Sequence, residues 1–253
     1  MCIIAIKDYD VATPKKDIVA NCFRTNPDGA GVAILRPGAK TVEISKGFMT
    51  LDGYFDFITC AVRPEDYAVY HFRITTSGGT RPELTHPFPV SDSVKDLTRL
   101  QMRSRFAFVH NGVFGPGTAN LSDTQLYIKD KLFPLRYALH KKGVQRKIVT
   151  DTRGSRTVTI DAETGLIFKT GEWITDKDTG LVFSNSSFRR AKFHHLEWER
   201  WWDDETDSMY GQYSCPNCMS HATDIISFKH RLLECDDCDC LFDTSGKVWT
   251  YSK

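Results

Sequence analysis

The apolar residues of this chain fall in short blocks whose spacing changes along the sequence. Residues 2–6, 31–35 and 42–45 are rich in Ile and Val and predict strands. From 51 to 62 the apolar positions Leu51, Tyr54, Phe55, Ile58 and Val62 recur at helical spacing, predicting one buried helix face. Residues 67–74 and 106–109 again read as buried strands. Ser122 and Gln125 form the Ser-x-x-Gln pattern of a capping box, which predicts a helix over 123–133. Further strands are expected at 157–160, 166–169 and 181–184, the first two joined by a turn over 161–165. Strand and helix patterns alternate, so the expected fold class is α+β.

The pattern changes after Phe188. Residues 189–213 carry Trp198, Trp201 and Trp202 and then the acids Asp203, Asp204 and Glu205. Three Trp so close together are too apolar to be left in water, so this stretch reads as a connecting segment that partly packs. The expected organisation is a main domain over 2–188, this connection, and a small domain over 214–253.

Composition narrows the function classes. The 253 residues are 41% apolar and 26% charged with a formal net charge of +1, which offers no general reason to expect a nucleic-acid or membrane surface. No apolar run approaches the roughly 20 residues that a membrane helix needs. The apolar opening lacks the basic segment of a secretory signal. Five of the eight cysteines crowd between Cys215 and Cys240 in paired spacing. Without an export signal that pattern favours metal over disulfide, and the expected compartment is the reducing cytoplasm.

Chemistry is concentrated at Cys2. Removal of Met1, which a small second residue permits, leaves a thiol and an α-amine on one residue. A thiol needs a base, and an α-amine with a pKa of roughly 7.7–8.0 can be that base near neutrality. The alternative is that Cys2 only opens a buried strand. Three later segments carry candidate partners. Arg73 lies in His71-Phe-Arg73-Ile-Thr-Thr76-Ser-Gly78, where a guanidinium at a strand end suits a carboxylate. Asn111-Gly112 follows an apolar strand. It is either a hairpin turn or a pair of donors for a tetrahedral oxyanion. Asp123 either caps a helix or pairs with a substrate ammonium.

Taken in order, Cys2, Asn26-Pro-Asp28-Gly-Ala-Gly31, His71-x-Arg73-x-x-Thr76-x-Gly78, His86-Pro87-Phe88, His110-Asn111-Gly112 and Ser122-Asp123-Thr124 resemble the class II, N-terminal-Cys glutamine amidotransferases. The resemblance covers residues 2 to about 188, roughly three quarters of the chain. It implies a four-layer αββα sandwich of the N-terminal-nucleophile hydrolase type. By the same resemblance Cys2 is the nucleophile, and Asn111 with the Gly112 N–H holds the oxyanion. Arg73 and Asp123 bind the two ends of glutamine, with Thr76 beside them, while Gly29 and Gly31 let the backbone pass close to the site. Ser77, Leu84 and Gln125 depart from His, Asn and Glu that relatives often carry. These departures bear on the loop over glutamine and on which γ-glutamyl amide is preferred; none removes a reacting group.

The tail holds its own signal. Cys215-Pro-Asn-Cys218, sixteen residues, then Cys235-Asp-Asp-Cys238 is four-thiolate zinc spacing, expected to staple a ribbon too small to fold alone. Cys240 competes with Cys238 as the fourth ligand, and His221 and His230 are further candidates. Residues 214–253 carry four basic and six acidic side chains, so this ribbon suits a protein contact or a structural cap better than nucleic acid.

The leading expectation is therefore a cytoplasmic glutaminase with structural zinc. The last 65 or so residues are too few for a large ammonia-accepting domain, so the acceptor is expected on a separate partner. The alternatives are a stand-alone γ-glutamyl amide hydrolase and a catalytically inactive binding protein on the same fold. Penicillin-V-acylase-like amide hydrolysis also uses a terminal Cys, but the Arg73 and Asp123 pair disfavours it.

Overall fold

The computed structural model describes residues 1–75, 79–118, 120–189, 214–218, 223–227, 232–235, 240–243 and 247–249. The chain divides into two units, Met1–Arg189 and Arg190–Lys253. Residues 190–213, where the aromatic connecting segment was expected, lie outside the described residues.

The first unit runs β1 (Ile3–Lys7), α1 (Lys16–Thr25), β2 (Ala30–Leu35), β3 (Val42–Phe48), α2 (Leu51–Ala61), β4 (Tyr67–Phe72), β5 (Phe88–Pro89), α3 (Val94–Thr98), β6 (Gln101–Ser104) and β7 (Phe106–Asn111). It continues with α4 (Asp123–Tyr127), α5 (Lys142–Asp151), β8 (Arg156–Asp161), β9 (Leu166–Thr170), β10 (Ile174–Thr175) and β11 (Val182–Phe183). Two antiparallel sheets result, in the orders β10-β11-β1-β4-β2-β3-β6 and β5-β7-β8-β9.

Period-two alternation sorts the side chains of these strands into three apolar clusters. In β1, Ile3 and Ala5 join one cluster with Val19, Phe23, Tyr54 and Ile58 of α1 and α2. Ile4 and Ile6 face the other way and join Val69 of β4 with Ala107, Val109, Val158 and Ile160 of the second sheet. Phe106 and Phe108, on the opposite face of β7, pack with Tyr127 of α4 and Ile148 of α5. Both faces of each sheet are thus buried at the centre. The central strands consequently read as continuous apolar runs rather than as alternation.

The expected strands at 2–6, 31–35, 42–45, 106–109, 157–160, 166–169 and 181–184 all occur, displaced or resized by a few residues. The Ser122–Gln125 capping box is formed. The helix it opens is shorter than expected. After Tyr127 the backbone loosens into a π-helical turn over Ile128–Leu132 and tightens to 3₁₀ at Phe133–Ala138. Pro134 in the first turn of that last segment supplies no N–H to continue an α ladder. Three helices, α1, α3 and α5, were not anticipated; α3 spans only five residues, and α5 buries little beyond Ile148 under a largely charged surface.

In the second unit, β12 (Thr223–Ser227), β13 (Leu232–Cys235), β14 (Leu241–Asp243) and β15 (Val248–Trp249) form an antiparallel sheet in chain order. Among the described residues, no helix is long and apolar enough to cross a membrane.

Candidate active site and candidate metal centre

Strand register brings the sequence-predicted residues to one edge of the first unit. Ile3 pairs with Phe72, so Cys2 just before β1 and Arg73 just after β4 come level with each other. By parity Cys2, Arg73 and Asn111 belong to the faces that the two sheets turn towards each other, in phase with Ile4, Val69 and Val109. The Cys2 thiol is partly buried, lying 3.6 Å from the Ile74 carbonyl, and it accepts from the Ile74 N–H at 3.5 Å. Burial pushes this thiol up. The Ile74 N–H, the terminal ammonium and Arg73 pull the other way without reversing the shift. With Met1 in place, 71% exposed, the α-amine belongs to Met1 and not to Cys2.

Arg73 is buried and fastened on several sides. Its N–H donates to the Gly29 carbonyl at 2.8 Å and its carbonyl accepts from Asp28 N–H at 3.0 Å. Its Nη1 donates to Thr75 Oγ1 at 2.7 Å and to the Gly79 carbonyl at 3.1 Å. Burial lowers its affinity for the proton, while Cys2, Asp28 and Asp123 raise it. The two acids therefore lie within electrostatic range of the guanidinium. Gly29, at φ +108°, would place a Cβ 2.7 Å from Thr85 Cγ2, and a Cβ on Gly31 would run into the His86 carbonyl. Both glycines are required by close backbone approach. Thr76 lies outside the described residues.

Asn111 ends β7. Its Nδ2 donates to Ser184 Oγ at 2.9 Å, while Oδ1 is buried without a partner. Gly112 has no room for a Cβ, which would strike the Ser155 side chain and the His110 ring. Asp123 accepts from the Phe114 and Thr124 N–H groups, both at 2.7 Å, one on each carboxylate oxygen. It therefore does hold the start of α4; Oδ1 also accepts from the Thr124 hydroxyl at 3.4 Å, and Oδ2 keeps a lone pair for a further donor.

Two residues that the sequence reading left without chemistry complete this edge. Ser184 follows β11, and its Oγ accepts from the Ile4 N–H at 2.9 Å as well as from Asn111. One hydroxyl thus ties β1 of the first sheet to β7 of the second. Asn185 Nδ2 donates to the Cys2 carbonyl at 2.9 Å. The available signal was two polar residues ending an apolar strand, a pattern that turns share.

Three buried histidines lie behind the edge. His71 Nε2 donates to the His110 carbonyl at 3.2 Å, and its ring sits 4.3 Å from that of His86. His110 bridges Thr124 Oγ1 at 2.9 Å and Ser155 Oγ at 3.0 Å. Burial pushes His71 down to about 3, His110 down to about 4, and His86 well below the usual imidazole range. All three are neutral near pH 7, when they pack as small aromatic rings.

In the second unit the sulfurs of Cys215, Cys218 and Cys235 all lie within 4.8 Å of one another, with Cys218 and Cys235 at 3.4 Å. No disulfide joins any of the seven described cysteines. Tetrahedral thiolates around zinc, at about 2.3 Å from the metal, stand about 3.8 Å apart, so this donor set fits such an ion. Cys240 packs against the cluster without joining the three sulfurs, and Cys238 lies outside the described residues. These cysteines could hold a metal ion.

No protein-family model matches the chain, and no curated protein matches it.

Proposed function

We propose that this protein hydrolyses the side-chain amide of glutamine through a thioester on Cys2 and delivers the ammonia to an acceptor on a separate protein. The observation that carries the reading is the convergence of Cys2, Arg73 and Asn111 on one edge, from strands far apart in sequence. The four-layer helix-sheet-sheet-helix arrangement of the N-terminal-nucleophile hydrolases belongs to the same proposal. Three apolar clusters, one between the sheets and one against each outer helical layer, support it.

Chemistry would begin with loss of Met1. The freed α-amine takes the Cys2 proton, and the thiolate attacks the amide carbon. Asn111 Nδ2 has a second hydrogen beyond the one given to Ser184, and with the Gly112 N–H it would face the developing oxyanion. Such donors act mainly on the transition state, each accounting for roughly 10²–10³ in rate. The ammonium returns its proton to the leaving amide nitrogen, ammonia departs, and water cleaves the thioester to glutamate. Arg73 and Asp123 would hold the substrate carboxylate and ammonium. A zinc ion on Cys215, Cys218, Cys235 and a fourth ligand would staple the second unit. Cys2, Cys22 and Cys60, none of them in a disulfide, favour a reducing, cytoplasmic setting.

Denatured intact mass after treatment with 6-diazo-5-oxo-L-norleucine tests the reading. Loss of Met1 and a single adduct, absent in Cys2→Ala, is the expected result. Retained Met1, or no adduct on the processed chain, would overturn it in favour of another γ-glutamyl amide or an inactive binding protein.

A further inference from the structure

The net charge of +1 averages two very unequal parts. Residues 128–156 hold nine Lys and Arg against two Asp, a net of +7, while the rest of the chain has 24 basic and 30 acidic residues, a net of −6. The basic part, apart from Arg156 at the start of β8, is the helical layer packed on Phe106 and Phe108 of β7 and on Leu166 and Phe168 of β9, and it includes α5.

Helix α5 breaks local rules that the other helices keep. Each of α1, α2, α3 and α4 has an acid in its first turn, at Asp17, Asp52, Asp96 and Asp123. Helix α5 has none. It starts with Lys141 at the N-cap and Lys142 beside it, at the end where the helix dipole disfavours positive charge. Lys142 and Arg146 are like charges at i,i+4, which repel. Arg153, exposed in the turn just beyond the helix, adds a further cation there. All four cations are exposed, and among the described residues none has an acidic partner; only Lys147 does, in Asp151. An ordinary solvated helix face mixes the two signs. A face kept uniformly positive against its own helix stability points to an anionic occupant.

From this we infer that the α5 face is a docking surface for single-stranded nucleic acid. Lys142 and Arg146 lie about 6 Å apart along the helix axis, with Lys141 and Arg153 at its two ends, enough cations to meet several phosphates. Lys is depleted in protein–protein interfaces, which argues against an acidic protein as occupant. In the turn leading into α5, the Tyr137 ring is 62% exposed with the Arg136 guanidinium 4.4 Å from its centre. With the Arg105 guanidinium also 5.3 Å from that centre, the exposed ring sits among cations, a setting in which an unpaired base stacks. The inference does not depend on the glutaminase reading.

Fluorescence anisotropy of the full chain with a labelled oligothymidylate, across a salt series, tests it. Wild type is expected to bind with an affinity that falls steeply with salt. The triple variant Lys142→Gln/Arg146→Gln/Arg153→Gln removes three cations from solvent-facing positions, so its melting temperature should hold. Its log–log salt slope should shrink by about 2, at about 0.7 per phosphate neutralised. Lys15→Gln/Lys40→Gln/Lys177→Gln, with equal charge removed elsewhere, should leave the slope unchanged. No binding by wild type at low salt, an unchanged slope in the α5 variant, or tighter binding to polyglutamate or to anionic vesicles would each overturn the inference.

Discussion

The edge at Cys2 and the cysteine cluster of the second unit are built in opposite ways. Three cluster sulfurs come from two short stretches, with Cys-x-x-Cys spacing presenting Cys215 and Cys218 together and Cys235 joining them from the end of β13. At the Cys2 edge the partners come from opposite ends of the first unit. Ile4 and Ser184 are 180 residues apart, and Asn185 reaches the Cys2 carbonyl across 183. The first arrangement needs a cross-link to exist; the second needs two packed sheets. A short stretch without a large core is held by its ligands, whereas an edge set by strand register is held by the whole core.

Stripping metal should break that comparison most visibly. Structural zinc in small domains contributes about 10 kcal/mol or more of folding free energy. Chelation, or Cys235→Ser, is expected to abolish protection of β12–β15 amides in hydrogen exchange. Persistent protection in metal-free protein would show that the sheet stands without its thiolates. At the other site, Cys2→Ala is expected to lower amide hydrolysis by at least about 10³, since a nucleophile has no substitute. Its melting temperature should barely change, because only a partly buried thiol is lost. Measurable turnover in this variant would remove Cys2 from the chemistry.

Acid should sharpen the contrast from the other side. His71, His86 and His110 are held below an unfolded value near 6.5, so below that pH the unfolded chain binds protons that the folded one refuses. Stability is complete above about pH 6.5 and falls on acidification, by about 1.4 kcal/mol per pH unit for each histidine. Urea unfolding of the first unit at successive pH values reads this slope, and His86→Phe should flatten it by about one proton. A flat profile would mean that the rings titrate in place.

The smallest effect concerns Ser184. Replacing it by Ala leaves the Ile4 N–H unpaired and frees the Asn111 amide. A roughly 10-fold to 100-fold loss in kcat with little change in KM is expected if the amide serves the transition state. Ser184→Ala should cost almost nothing further in an Asn111→Ala background. Additive losses would leave Ser184 as a tie between strands and nothing more.

How much of this could be read beforehand varies with the residue. The Cys215–Cys218 pair, the Ser122–Gln125 box and the central strands were legible, because each depends on neighbours within a few positions. Asn111-Gly112 was readable only as a choice between hairpin and donor pair. The structure shows a strand end with no space for a side chain at 112. Helix α5 escaped because only a few of its positions, such as Val144 and Ile148, meet the core, leaving too little periodicity in a charged stretch.

The sequence by itself determined which segments would be strands, which cysteines would cluster and which residue could be a terminal nucleophile. Those properties follow from side-chain periodicity and short spacing, which act within a few residues. Only the tertiary structure decided that Ser184 holds Asn111, that Asn185 holds the backbone of Cys2, and that the cations of α5 share one open face. The first two depend on register between strands 73 and 183 residues apart. The third depends on which side of a helix the core claims, and packing alone sets that.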